Sequence, residues 1–203
     1  MTKGKRNRSI EAIKEAIEKD QDKIIAPVVI EKAIASYQEA DHDLAKKLFQ
    51  ANEAFETNDL REAENLAIEA IMQNKRCAQA YLIIGKIAFF RGQFEDAKEA
   101  YTTAIKCNRG LGEAYFGLGR TELRDENFSK ALDNLQKAIV LEKGHADWYA
   151  ELGRAYMGVR QYSKAAKVLK RASSLEMDNK EYRDLLIEAE EKQRTHSFYT
   201  RGK

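Results

Sequence analysis

Helix breakers and chemistry-bearing residues are both scarce in this chain of 203 residues. Pro27 is the only proline, so long helices meet few interruptions. Cys77 and Cys107 are the only cysteines, and neither has CxxC or Cys/His spacing. That leaves no metal-binding or redox motif, and both read as small core or turn residues suited to a reducing compartment. The three histidines, His42, His145 and His196, share no helical face. There is no HExxH, no GxxxxGK followed by Ser or Thr, and no GxSxG. No carboxylate pair is singled out for acid–base work. We therefore expect no enzyme, no metal and no cofactor. The apolar stretch from Ile24 to Ile30 is far short of the roughly 20 residues that span a bilayer. It also lacks the basic-then-apolar order of a secretory signal, so the expected location is cytoplasmic. The net charge of +2, from 35 basic against 33 acidic residues, argues against a protein-wide field built for a polyanion. Any charge signal is local.

What is present is a period. Gly85, Gly119 and Gly153 recur every 34 residues (119 − 85 and 153 − 119), and their neighbourhoods recur with them. An aromatic lies four residues before each glycine (Tyr81, Tyr115, Tyr149) and an aliphatic residue immediately before it (Ile84, Leu118, Leu152). A second segment opens on Phe94, Phe128 and Tyr162, followed by Ala97, Ala131 and Ala165. A bulky residue comes next (Tyr101, Leu135, Leu169), then a second alanine (Ala104, Ala138, Ala172). Both segments carry helical spacing. Glycine inside a helix is about 1 kcal/mol worse than alanine, so its return at one phase points to a neighbouring helix too close for a side chain.

This set resembles the tetratricopeptide repeat family, whose 34-residue unit is a helix–turn–helix with small residues where its two helices touch. The resemblance implies an all-α fold, a right-handed α-solenoid of stacked antiparallel helix hairpins. Its frame gives repeats at 78–111, 112–145 and 146–179, and a weaker one at 44–77 with Ala51 in place of the glycine. The family's proline after the second helix is absent; Asn108 with Gly110, Gly144, and Asp178 with Asn179 take over those turns. Residues 9–43 form an expected degenerate hairpin or cap, with Ile10, Ile13 and Ile17 on one stripe and Ile30, Ala33, Ile34 and Tyr37 on another. A docking arm is the alternative. The segment 180–194, with Tyr182, Leu185, Leu186 and Ala189 on one face, is the expected capping helix. The basic stretch 1–8 and a tail at 195–203, with His196, Phe198, Tyr199, Arg201 and Lys203, are expected to be flexible.

In the resembling family the first helices line a concave groove. Its columns here are Asn52, Lys86, Arg120 and Arg154; Phe55, Phe89, Leu123 and Met157; and Leu48, Leu82, Phe116 and Ala150, with Phe90 and Arg124 on the same side. Such a face suits a peptide or helix with apolar anchors beside carboxylates. The competing reading is a solvated face whose cations pair with Glu113, Asp147 and Glu151. A clamp of the kind that holds acidic chaperone tails is not supported, since only Asn52 matches its pattern in the repeats 44–145. Glu122 stands where a large apolar residue belongs, as Tyr156 does one repeat later, and a buried carboxylate needs partners. The leading expectation is a non-enzymatic scaffold or adaptor for a protein partner, with no membrane span. The alternatives are an RNA-binding protein using the basic column and basic ends, and a subunit that self-associates through its array ends.

Overall fold

The computed structural model describes residues 27–201, with side chains from 41 to 196. The stripe expected at residues 9–22, the basic stretch 1–8, and the side chains of Phe198, Tyr199, Arg201 and Lys203 lie outside the described residues. Among the described residues there are nine helices and no strands: α1 (Pro27–Glu56), α2 (Leu60–Gln73), α3 (Ala78–Phe90), α4 (Phe94–Cys107), α5 (Gly112–Arg124), α6 (Phe128–Leu141), α7 (Ala146–Gly158), α8 (Tyr162–Leu175) and α9 (Lys180–Arg201). The chain divides into two units, Met1–Phe49 and Gln50–Lys203. The first contributes the amino-terminal part of α1.

Within the second unit the helices pack as an all-α helical-repeat solenoid. α3 pairs with α4, α5 with α6, and α7 with α8; each hairpin then packs on the next, and α9 closes on α8. The first helices also touch in succession, α3 to α5 to α7 to α9. The alanine columns explain why the helices come so close. Ala63, Ala97, Ala131 and Ala165, with Ala70, Ala104, Ala138 and Ala172, are all fully buried. Opposite them stands the glycine column. A Cβ on Gly85 would lie 2.6 Å from the Tyr101 ring, one on Gly119 2.7 Å from Leu135, and one on Gly153 2.5 Å from Leu169. In the weaker repeat the glycine place gains a Cβ and the bulky place shrinks to match, with Ala51 and Ala67 both fully buried. The same column ends at Ile187, which is 52% exposed on α9. A branched side chain there cannot accept a second helix at glycine distance, which ends the packing pattern.

A further periodicity lies in the backbone. Asn58, Gly92, Glu126 and Arg160, again 34 apart, all adopt left-handed φ of 64°, 75°, 57° and 59°. Each directs a six-to-one closure of the first helix, such as Gln93 N–H to the Ala88 carbonyl at 2.9 Å and Asn127 N–H to the Glu122 carbonyl at 2.9 Å. Only one of the four is the glycine that such a turn favours.

Two expected boundaries move. No turn separates residues 43 and 44, because α1 runs unbroken from Pro27 to Glu56; neither glycine nor a second proline occurs in that span. The tail does not begin at 195 either, since α9 continues to Arg201. The Thr195 hydroxyl bonds the Glu191 and Lys192 carbonyls, and the His196 ring meets Tyr162 edge-on at 5.6 Å.

Candidate functional site

Stacking α3, α5 and α7 side by side opens a cavity of about 730 Å³. Seven of the residues expected in the groove line it: Phe55, Lys86, Phe89, Phe90, Phe116, Arg120 and Arg124. The rest fall elsewhere. Leu82 is in the core, and Leu123 and Met157 are half-buried against the larger core cluster. Asn52 is exposed, Arg154 lines a shallower depression with Glu181 and Asp184, and Leu48 belongs to the first unit, where it is half-buried. Leucine and methionine in these columns turn inward because the inter-helix core is the nearer apolar environment.

The basic column is largely engaged. Lys86 on α3 pairs with Glu113 on α5, and its Nζ lies 5.9 Å from the Phe55 ring centre. Arg120 on α5 reaches Glu151 on α7 at 3.7 Å and lies over the Phe89 and Phe116 rings at 4.6 and 5.5 Å. Arg154 on α7 pairs with Glu181 on α9 and with Glu151 at 3.6 Å. α3, α5 and α7 are therefore each tied to the next first helix by an ion pair. The competing sequence reading is right on this point for Glu113 and Glu151. Asp147, 27 residues after Arg120 as Glu113 is after Lys86, stands outside this series of contacts. Burial raises its carboxyl above the ordinary range, against the pull of the Trp148 backbone N–H. Burial likewise raises Glu151, against the opposing effect of Arg154 and Arg120. Arg124 is exposed and has no ion-pair partner among the described residues.

The walls are aromatic. Phe116 stacks on Trp148 at 5.1 Å and Trp148 on His145 at 4.2 Å. Phe89 and Phe94 meet at 5.6 Å, while Phe90 is 63% exposed at the rim. Glu142 fixes the far edge by accepting the Gly112 N–H at 2.9 Å, at the start of α5 where a helix favours a carboxylate. Tyr101 reaches the cavity from the second helix α4, its ring filling the space left by the missing side chains of Gly85 and Gly117. Sequence reasoning missed Tyr101, Phe94, His145 and Trp148 as lining residues. For Tyr101 there was a signal: Gly117 lies two residues before Gly119, and a tyrosine occupies the place of Leu135 and Leu169.

Glu122 is 7% exposed and its Oε2 has no hydrogen-bond partner. Neither Arg120 nor Arg154 resolves it, since both turn to Glu151. Among the described residues, no group of three or more His, Cys, Asp or Glu could hold a metal ion, and no helix is long and apolar enough to cross a membrane.

No curated protein matches the chain. Solved structures do. MamA from Desulfovibrio magneticus RS-1 is similar at 18% identity and a TM-score of 0.61, over 79% of this chain and 97% of that one. The TPR domain of Arabidopsis OM64 is 25% identical with a TM-score of 0.54, over 55% and 93%. The first TPR of Spaghetti (RPAP3), bound to the HSP90 peptide SRMEEVD, is 20% identical with a TM-score of 0.55, over 56% and 90%. Two tetratricopeptide repeat family models match the sequence, one over residues 84–151 and the other over 122–186. With the period written in the glycines, in the alanines and in the left-handed turns alike, the chain belongs to the tetratricopeptide repeat family.

Proposed function

We propose that this chain is a non-enzymatic scaffold or adaptor, working in the cytoplasm, that holds a peptide or helical segment of a partner protein in the groove formed by α3, α5 and α7. The observation that carries the reading is the aromatic cavity on consecutive first helices, with Phe90 exposed at its rim. Apolar surface left open in a concave, partly charged setting is where anchor side chains of a partner bury. A relative of similar fold is seen with a peptide bound, which supports the class of ligand. It does not carry over the acidic tail, because Lys86 and Arg120 already face carboxylates in this chain. The same pairing counts against RNA, which needs cations free to meet phosphates.

The test is peptide binding by the full chain with Phe90→Asp alongside the wild type. A charge placed on the exposed rim should abolish measurable binding while circular dichroism and melting stay the same. Equal binding by the two proteins would remove the groove from the account.

A further inference from the structure

Tyr101 is unlike its counterparts in the next two hairpins. Leu135 and Leu169 stop at the glycine column, whereas the Tyr101 ring passes between Gly85 and Gly117 to the cavity floor. The residue is 3% exposed, and its hydroxyl forms no hydrogen bond to another described residue. It is not among the fully enclosed atoms that lack a partner, so it opens onto the cavity. A hydroxyl that faces a largely aromatic cavity with no partner from the described residues is placed to meet a polar ligand atom. Burial also pushes the phenol well above its ordinary range, so it stays neutral and can both donate and accept.

The charges around it are sorted. Lys86 is tied to Glu113 and Arg120 to Glu151. Arg124, exposed like Phe90 and lining the same cavity, is the cavity-lining Lys or Arg without an ion-pair partner among the described residues. We propose that Tyr101 and Arg124 form a two-point subsite that selects a partner segment presenting one aromatic side chain with a polar tip, tyrosine or tryptophan, next to a single carboxylate. The ring would lie among Phe89, Phe116 and Trp148, its tip bonded to the Tyr101 hydroxyl, with the carboxylate on the Arg124 guanidinium. A run of acidic residues fits poorly, since among the described residues only one cavity-lining Lys or Arg has no ion-pair partner. The inference rests on the groove reading above and narrows it to a chemical class.

The probe is a phage-displayed library of random peptides selected on the full chain. The peptides recovered should carry Tyr or Trp close to one Asp or Glu. Tyr101→Phe should weaken such a peptide by about fivefold, and replacing the peptide's own tyrosine with phenylalanine should do the same. Both changes together should cost no more than either alone, because one hydrogen bond is removed twice. Tyr101→Leu, which copies the next two hairpins, should reproduce the loss in a folded protein. Arg124→Glu should weaken the peptide about tenfold and be relieved by a lysine in place of its acidic residue. Peptides enriched in acidic runs, or unaffected by Tyr101→Phe, overturn this subsite. If they nonetheless lose binding with Phe90→Asp, the groove reading stands; if they are indifferent to Phe90→Asp, or if none is recovered, both readings fall.

Discussion

Tyr101 stands where the side chain of Gly85 would be: a Cβ there would come within 2.6 Å of the ring's Cε1. The two residues behave as one packing unit, repeated as Gly119 with Leu135 and Gly153 with Leu169; the fully buried Ala51 and Ala67 hold the same two places in the weaker repeat.

Gly85→Ala should therefore destabilise. Overpacking a buried ring costs about 2–3 kcal/mol, against a gain of about 1 kcal/mol in helix preference. The ring has no escape, because Gly117 abuts it on the other side. Chemical denaturation should show a loss of about 1–2 kcal/mol. Adding the same substitution to Tyr101→Ala, which recreates the Ala51 and Ala67 pairing, should cost nothing further; additive losses would contradict the unit.

Glu126→Gly and Arg160→Gly should each stabilise. Both residues are exposed and hold left-handed φ, 57° and 59°, a conformation about 1–2 kcal/mol unfavourable for a residue with a Cβ. Glycine removes that cost and returns part of it as unfolded-chain entropy. The expected net gain is about 0.5–1 kcal/mol per site, read from the denaturation midpoint. The reverse change at φ 75°, Gly92→Ala, should lower the midpoint.

Glu151→Gln should raise stability at neutral pH. Burial lifts the folded-state carboxyl above its ordinary value of 4.5, so the folded protein holds this proton more tightly than the unfolded chain does. The sign follows: stability is lost as pH rises from 4.5 through the folded value, and the ionised group is a burden above it. The glutamine variant should melt higher than the wild type at pH 7, with the gap closing as pH falls toward 4.5. A gap that widens in acid would mean that the links to Arg120 and Arg154 outweigh burial.

The inter-helix ion pairs should be weak. In the Arg154 to Glu181 pair the side chains are 38% and 63% exposed, and such pairs contribute less than about 1 kcal/mol and fade with salt. Arg154→Gln should lower the melting temperature by no more than a few degrees in low salt and hardly at all in high salt. An equal loss at both would point to packing instead.

The hairpins are legible in the sequence because their contacts select small residues: Gly85, Gly119 and Gly153 with the two alanine columns leave the same mark each time. The turns are not, because left-handed φ falls on Glu126 and Arg160 as well as on Asn58 and Gly92, the two residue types that favour it. Nor does the sequence mark a stop at residue 43, where the frame alone places one; local propensity carries α1 across it. In the groove, Phe89 and Arg120 are readable from their columns, and Phe90 from its place on the same side. The pairing of Lys86 with Glu113 is visible as a spacing, but Arg120 takes Glu151 rather than Asp147 at the same spacing, which only the stacked helices reveal. Tyr101 escapes because it arrives from the second helix, outside every first-helix column.

The most direct test of the account is hydrogen–deuterium exchange on the full chain with and without a selected peptide. Added protection should appear on α3, α5 and α7, greatest around Phe89, Phe116 and Arg120, with the second helices α4, α6 and α8 little changed. Protection confined to those second helices or to the chain ends would contradict a groove on the first helices as the place where this protein grips its partner.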